Sequence, residues 1–271
     1  MQPERGEAPP SVLGALCSCA GAQSCYEFGM VLRAKANKES GVAGYVETLL
    51  EKSLEGLFKE KGERLSGLAF AAFCRGLDEN PELPNGFGTK VFGNEAMRFG
   101  EKMIDGCLEE GLAQWQVEAC LSAFKGANQQ RQLAVVLGAM AGETLALLAD
   151  ATRRLEMDRD GAKVLGLAAG ASLAKVAEHW PAKEEGREEA TESMFKRGSS
   201  AWRAHLANVS HSADEGENAK ESIGAAISCL GEPFLASLSL NCNGSMSAVI
   251  EARRFELVAK NPNVPGRANR M

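Results

Sequence analysis

Three histidines and eight cysteines are the side chains best suited to proton-transfer, nucleophilic or metal chemistry in this chain. Their spacing argues against each. His179, His205 and His211 do not pair with a serine elbow, a cysteine-nucleophile motif or a metal triad. His205 falls beside Trp202 on an apolar helical stripe, the usual place of a hydrogen-bonded core histidine. His179 and His211 fall at expected helix ends, where an imidazole meets solvent or the last carbonyls. Cys17, Cys19 and Cys25 form C-x-C-x5-C with no fourth Cys or His close in sequence to complete a zinc set. S-acylation is the other chemistry open to them. Cys74, Cys107, Cys120, Cys229 and, less clearly, Cys242 lie among apolar residues in helical patterns. A reduced thiol acts there as a small hydrophobe, which points to a reducing compartment.

Two glycine-containing segments imitate ligand loops and fail on spacing. Glu156-Met-Asp158-Arg-Asp160-Gly161 opens like a calcium loop, but the bidentate glutamate required at loop position 12 is replaced by Leu167. The segment therefore reads as a turn with Asp160 as the N-cap of the next helix. Gly86-Phe-Gly88-Thr89-Lys90 lacks the spacing of a phosphate loop and no strand precedes it. Trp180-x-x-x-Glu184 is too short a pattern to carry a function. No catalytic, cofactor-binding or metal-ligating residue is assigned, and no cofactor is expected.

Gly138-x-x-x-Gly142 and Gly166-x-x-x-Gly170 are different, because they belong to a repeat. Residues 134–149 recur at 162–177, with nine of sixteen positions identical, among them Ala141/Ala169 and Leu145/Leu173. At about 100° per residue, eight of the nine fall within one half of a helix. Val136/Val164 alone lies outside it. What recurs is a packing surface with Gly138, Ala141, Gly142, Gly166, Ala169 and Gly170 at its centre. Small residues let helices approach closely, in membranes as in soluble cores. Glu143, Lys163 and Lys175 interrupt the apolar surface and favour the soluble setting.

The positioning elements are expected to be helices throughout. Helical patterns cover about 24–35, 41–61 (with Ser40 as N-cap), 63–77, 94–110, 113–125, 129–155, 161–180, 184–209, 215–231 and 244–260, with prolines at the breaks. Residues 78–93 hold two prolines and three glycines and read as a loop. No segment alternates as a strand. The expected fold is all-α: a multi-helix layered bundle or a short solenoid-like stack with the Gly/Ala hairpin at its centre. The expected organisation is a leader over 1–23, one helical domain over 24–260 and a polar tail over 261–271.

Composition bounds the partners. The chain is 45% apolar and 24% charged, with a net charge of −6, which argues against a broad grip on nucleic acid. Arg253, Arg254, Lys260, Arg267 and Arg270 make the C-terminal twenty residues locally basic, a possible contact for an acidic partner or anionic lipid. The apolar stretch 12–22 follows the acidic, proline-rich MQPERGEAPP, a poor start for a signal peptide. The resulting expectation is a cytoplasmic helical scaffold or adaptor that binds another protein. Two alternatives are carried: a peripheral or conditionally membrane-inserting protein, and an enzyme whose site is assembled from distant residues. A pocket joining His205 or His179 to carboxylates would favour the enzyme, and an apolar or charged groove the scaffold.

Overall fold

The computed structural model describes residues 21–32, 44, 67–154, 158–208, 213–239 and 245–260. They fold into ten α-helices with no strand among the described residues, so the chain is all-α. It divides into two compact units, Met1–Met103 and Ile104–Met271, where the sequence suggests one domain over 24–260. The expected helix over 41–61 apart from Gly44, residues 1–20 of the expected leader, and the tail lie outside the described residues, and Ala22 and Gln23 of that leader are already helical.

The first unit contains α1 (Ala22–Val31), α2 (Gly67–Asp78) and α3 (Phe87–Phe99). Helices α1 and α2 run antiparallel at a distance only glycine permits. A Cβ on Gly29 would collide with the carbonyl of Phe73, and a Cβ on Gly76 with that of Tyr26. Phe28, Phe73, Phe70 and Phe92 stack in series, with ring centroids 5.8–6.5 Å apart. Buried Asn80 donates to the carbonyls of Gly29 and Leu32 at 3.0 and 2.9 Å, ending α1 with a side chain from beyond α2.

The expected loop over 78–93 is shorter than the sequence suggests, because α3 already begins at Phe87 and ends at Phe99. Asp78 causes this. Its carboxylate accepts from the backbone N–H and the hydroxyl of Thr89, satisfying the first turn of α3 from a residue eleven positions away. Gly86, at φ +73°, makes the entry turn. Gly88 is needed because a side chain there would strike the Cys74 carbonyl. The expected helix over 94–110 instead gives way at Gly100 to a 3-10 turn, Gly100–Met103, and an irregular segment over 104–109.

Glu95 on α3 is largely buried, and one of its carboxylate oxygens has no hydrogen-bond partner. Burial raises its pKa, with Arg98 opposing. A carboxyl with a raised folded-state pKa favours folding below its unfolded pKa, and that contribution is lost as pH rises through the folded value. Glu95→Gln should therefore raise the thermal midpoint at pH 7, by an increment that shrinks as the pH is lowered toward 4. Melts followed by circular dichroism across that range check it; an equal effect at both ends would contradict the assignment.

The second unit holds α4 (Glu110–Ala123), α5 (Gln130–Arg154), α6 (Arg159–Ala177), α7 (Glu184–Asn208), α8 (Ala213–Ser228), α9 (Glu232–Ser239) and α10 (Ser245–Lys260). Its repeated segments occupy α5 and α6. Helix α6 is capped by Asp158, which accepts from Gly161 N–H at 2.8 Å. Asp160, the expected cap, lies inside the first turn.

Candidate functional site

The two glycine faces do not meet each other. Gly138 and Gly142 of α5 press against the Ala190 and Met194 carbonyls of α7. Gly166 and Gly170 of α6 press against the Ser222 and Ala226 carbonyls of α8. Numbers rise together in both contacts, so each pair runs parallel. The register is the same in both pairs: twenty-eight residues carry each α5 glycine to its α6 counterpart, and thirty-two carry each contacted α7 residue to its α8 counterpart. An ion pair obeys the same rule. Arg131 of α5 pairs with Glu189 of α7, and Arg159 of α6 with Glu221 of α8. The second unit thus contains one helix-pair design twice, α5/α7 and α6/α8. Ala141 and Ala169 are fully buried in their respective copies. Leu148, Ala169 and Ala226 form a buried cluster joining α5, α6 and α8, with Leu108 and Leu165 packed on it.

The copies differ at the one matching position outside the shared face. Val136 is 0% exposed, whereas Val164 is 67% exposed. One turn on, Ala139 is also buried while its counterpart Leu167 is 43% exposed. Ala168 and Ala171, partly buried, border the open stripe, with exposed Lys163 beside it. A face enclosed in the first copy is open in the second.

A second apolar surface lies on α10, where Ala248, Val249, Ala252, Phe255 and Ala259 are exposed at helical spacing. Phe255 is 77% exposed. The expected basic contacts on this helix are engaged locally. Arg253 donates to Glu256 and to the Ser228 carbonyl, and Arg254 to Glu232, Glu251 and the Ser239 hydroxyl. Arg267, Arg270 and the side chain of Lys260 lie outside the described residues.

A cleft of about 480 Å³ opens where the chain enters α5 and α7. Leu133, Ala134 and Leu137 form its buried floor, and Pro181 and Ala182 its other wall. Gln130, Arg131, His179, Lys183 and Glu185 ring it. Sequence reasoning places His179 only at a helix end and passes over Arg131 and Lys183, because they converge from segments about fifty residues apart. Between His179 and Pro181, Trp180 turns inward, stacks edge-on against Phe234 at 4.7 Å and donates to buried Ser237 at 3.0 Å.

Of the five described thiols, Cys229 is exposed and the other four are poorly placed for nucleophilic work. Cys25, Cys74, Cys107 and Cys120 are buried and unlinked. Burial pushes the Cys120 thiol up to about 12 and Cys74 well above its usual value, so both stay protonated. Cys17, Cys19, Cys242, His211 and the side chain of His205 lie outside the described residues. No group of three His, Cys, Asp or Glu side chains among the described residues is placed to hold a metal ion. Residues 127–152, spanning most of α5, are long and apolar enough to cross a membrane by length and composition, yet most of that window is buried inside the fold. No family model matches the chain, nor does any curated protein or solved structure.

Proposed function

We propose that the chain is a helical scaffold or adaptor that binds another protein through the outer face of α6. The observation that carries this reading is the contrast between copies: Val136 and Ala139 are buried, while Val164 and Leu167 are open. In a stack of equivalent helical layers, the terminal face is normally polar. An apolar stripe there is a place for one more helix. The fitting occupant is an amphipathic helix of a partner protein, with its apolar face on Val164, Leu167 and Ala171 and an acidic residue against Lys163. The exposed Phe255 face of α10 is a second contact surface of the same scaffold. The cleft sets His179 beside Glu185, the combination that favours the enzyme alternative, but the open apolar stripe of α6 is better accounted for by a scaffold.

Affinity capture tests this. The immobilised chain should retain a partner from native extract that Val164→Glu and Leu167→Glu each lose by about tenfold or more, a loss of at least ~1.4 kcal/mol. Both positions are exposed, so the variants should keep the parent's circular dichroism spectrum. A captured set identical across the three proteins would refute the reading. Light scattering that gave a dimer dissolved by Leu167→Glu would replace the partner helix with a second copy.

A further inference from the structure

We propose that the cleft between the start of α5 and the start of α7 binds a small organic anion with an apolar body, such as an alkyl carboxylate. This does not depend on the docking face of α6. The volume of about 480 Å³ lies within the range of small-molecule sites. Leu133, Ala134 and Leu137, backed by Pro181, offer a hydrocarbon chain a surface already withdrawn from water. The charged end of the ligand meets donors from both sides of the mouth. Arg131 comes from α5, held in place by its ion pair with Glu189. Lys183 immediately precedes α7, and neither its ammonium nor the His179 ring has a hydrogen-bond or ion-pair partner among the described residues.

The backbone reinforces this sign. The first amide of α7 to close onto the preceding turn is that of Arg187, bonded to the Lys183 carbonyl at 3.0 Å. Those of Glu184, Glu185 and Gly186 have no acceptor within the helix, and Glu185 and Gly186 line the cleft. Such amides and the helix dipole favour negative charge. Among the described residues Glu185 is the one acid in the lining, and its charge disfavours a second negative charge on the ligand. A monoanion whose head lies between Lys183 and Arg131, with its tail on Leu137, satisfies every part of the cleft.

Titration calorimetry with octanoate on the full chain tests the site, with octylammonium and inorganic phosphate as comparison probes. Octanoate should bind saturably at one site, and octylammonium and phosphate at least tenfold more weakly. Lys183→Gln should weaken octanoate by about tenfold, the scale of one charge-assisted contact. Ala182→Trp, which fills the mouth from an exposed position, should abolish binding with an unchanged circular dichroism spectrum. The proposal is overturned if octanoate does not bind at millimolar concentration, if octylammonium binds equally well, or if neither variant changes the affinity. Phosphate binding as tightly as octanoate would also overturn it, because the apolar floor would then contribute nothing.

Discussion

Leucine at Gly138, Gly142 or Gly166 is expected to unfold the second unit or cost it at least the upper end of the ~1–3 kcal/mol typical of overpacking. A Cβ at each position falls onto a backbone carbonyl of the neighbouring helix, and a carbonyl cannot rotate aside as a side chain can. Relief would require the helix pair to separate, which would open the faces buried on both. Alanine should already be destabilising at these positions, although it is the better helix former. Gly170 is looser, with the Ala226 carbonyl oxygen at 2.7 Å and the Cys229 sulfur at 2.9 Å from an ideal Cβ, so Gly170→Ala should be the mildest of the four. Gly224 is the internal control. It lies within α8 with nothing within 4 Å of its ideal Cβ, so Gly224→Ala should stabilise by ~0.5–1 kcal/mol. All three tryptophans, 115, 180 and 202, belong to the second unit, so urea unfolding followed by tryptophan fluorescence reads this unit alone. If all five alanine variants behaved alike, the close-approach assignment would fail.

Trp180→Ala carries the second large effect, a loss of ~3–5 kcal/mol by the usual cost of emptying a buried aromatic site. The ring packs against Phe234 and fastens the turn after α6 to α9. Trp180→Phe separates the two contributions, because it keeps a ring against Phe234 and removes the donor to Ser237. That variant should cost ~1–2 kcal/mol, near the value of one buried hydrogen bond. Ser237→Ala should cost at least as much, since it leaves the indole N–H buried and unpaired. Urea unfolding followed by circular dichroism distinguishes these variants. A Phe variant as damaging as the Ala variant would mean that the hydrogen bond, not the packing, holds the turn.

The helical architecture was legible because apolar spacing and proline breaks are local signals. The shared face of 134–149 and 162–177 was also legible, since Gly and Ala identity is itself the signature of close approach. Its partners were not. Helices α7 and α8 share only scattered identities such as Glu189 and Glu221 at the thirty-two-residue offset. What they contribute to the glycine contacts is backbone carbonyls, which every residue type supplies. The start of α3 was hidden for a related reason: its cap is Asp78, remote in sequence, while the local Gly86-Phe-Gly88 pattern signals a break. The two aspartates at the start of α6 show the limit of local reading. Both are good N-cap residues, and the geometry at Gly161 selects Asp158. The cleft left no sequence signal, because its floor and one cation come from the start of α5, and its histidine and other cation from the turn between α6 and α7.

The account stands on two parallel helix pairs in one register. Spin–spin distances across Arg131→Cys/Glu189→Cys and across Arg159→Cys/Glu221→Cys test this most directly, with Cys17, Cys19, Cys229 and Cys242 replaced by serine. Parallel packing brings the ends of each pair together, so both distributions should peak within about two helix diameters, roughly 20 Å. The two distributions should also resemble each other. An antiparallel arrangement of α5 and α7, both 25 residues long, would separate Arg131 from Glu189 by roughly 27 Å along the helix axis. A peak there, or a short distance in one pair and a long one in the other, would contradict the repeated design and with it the open α6 face as a docking surface.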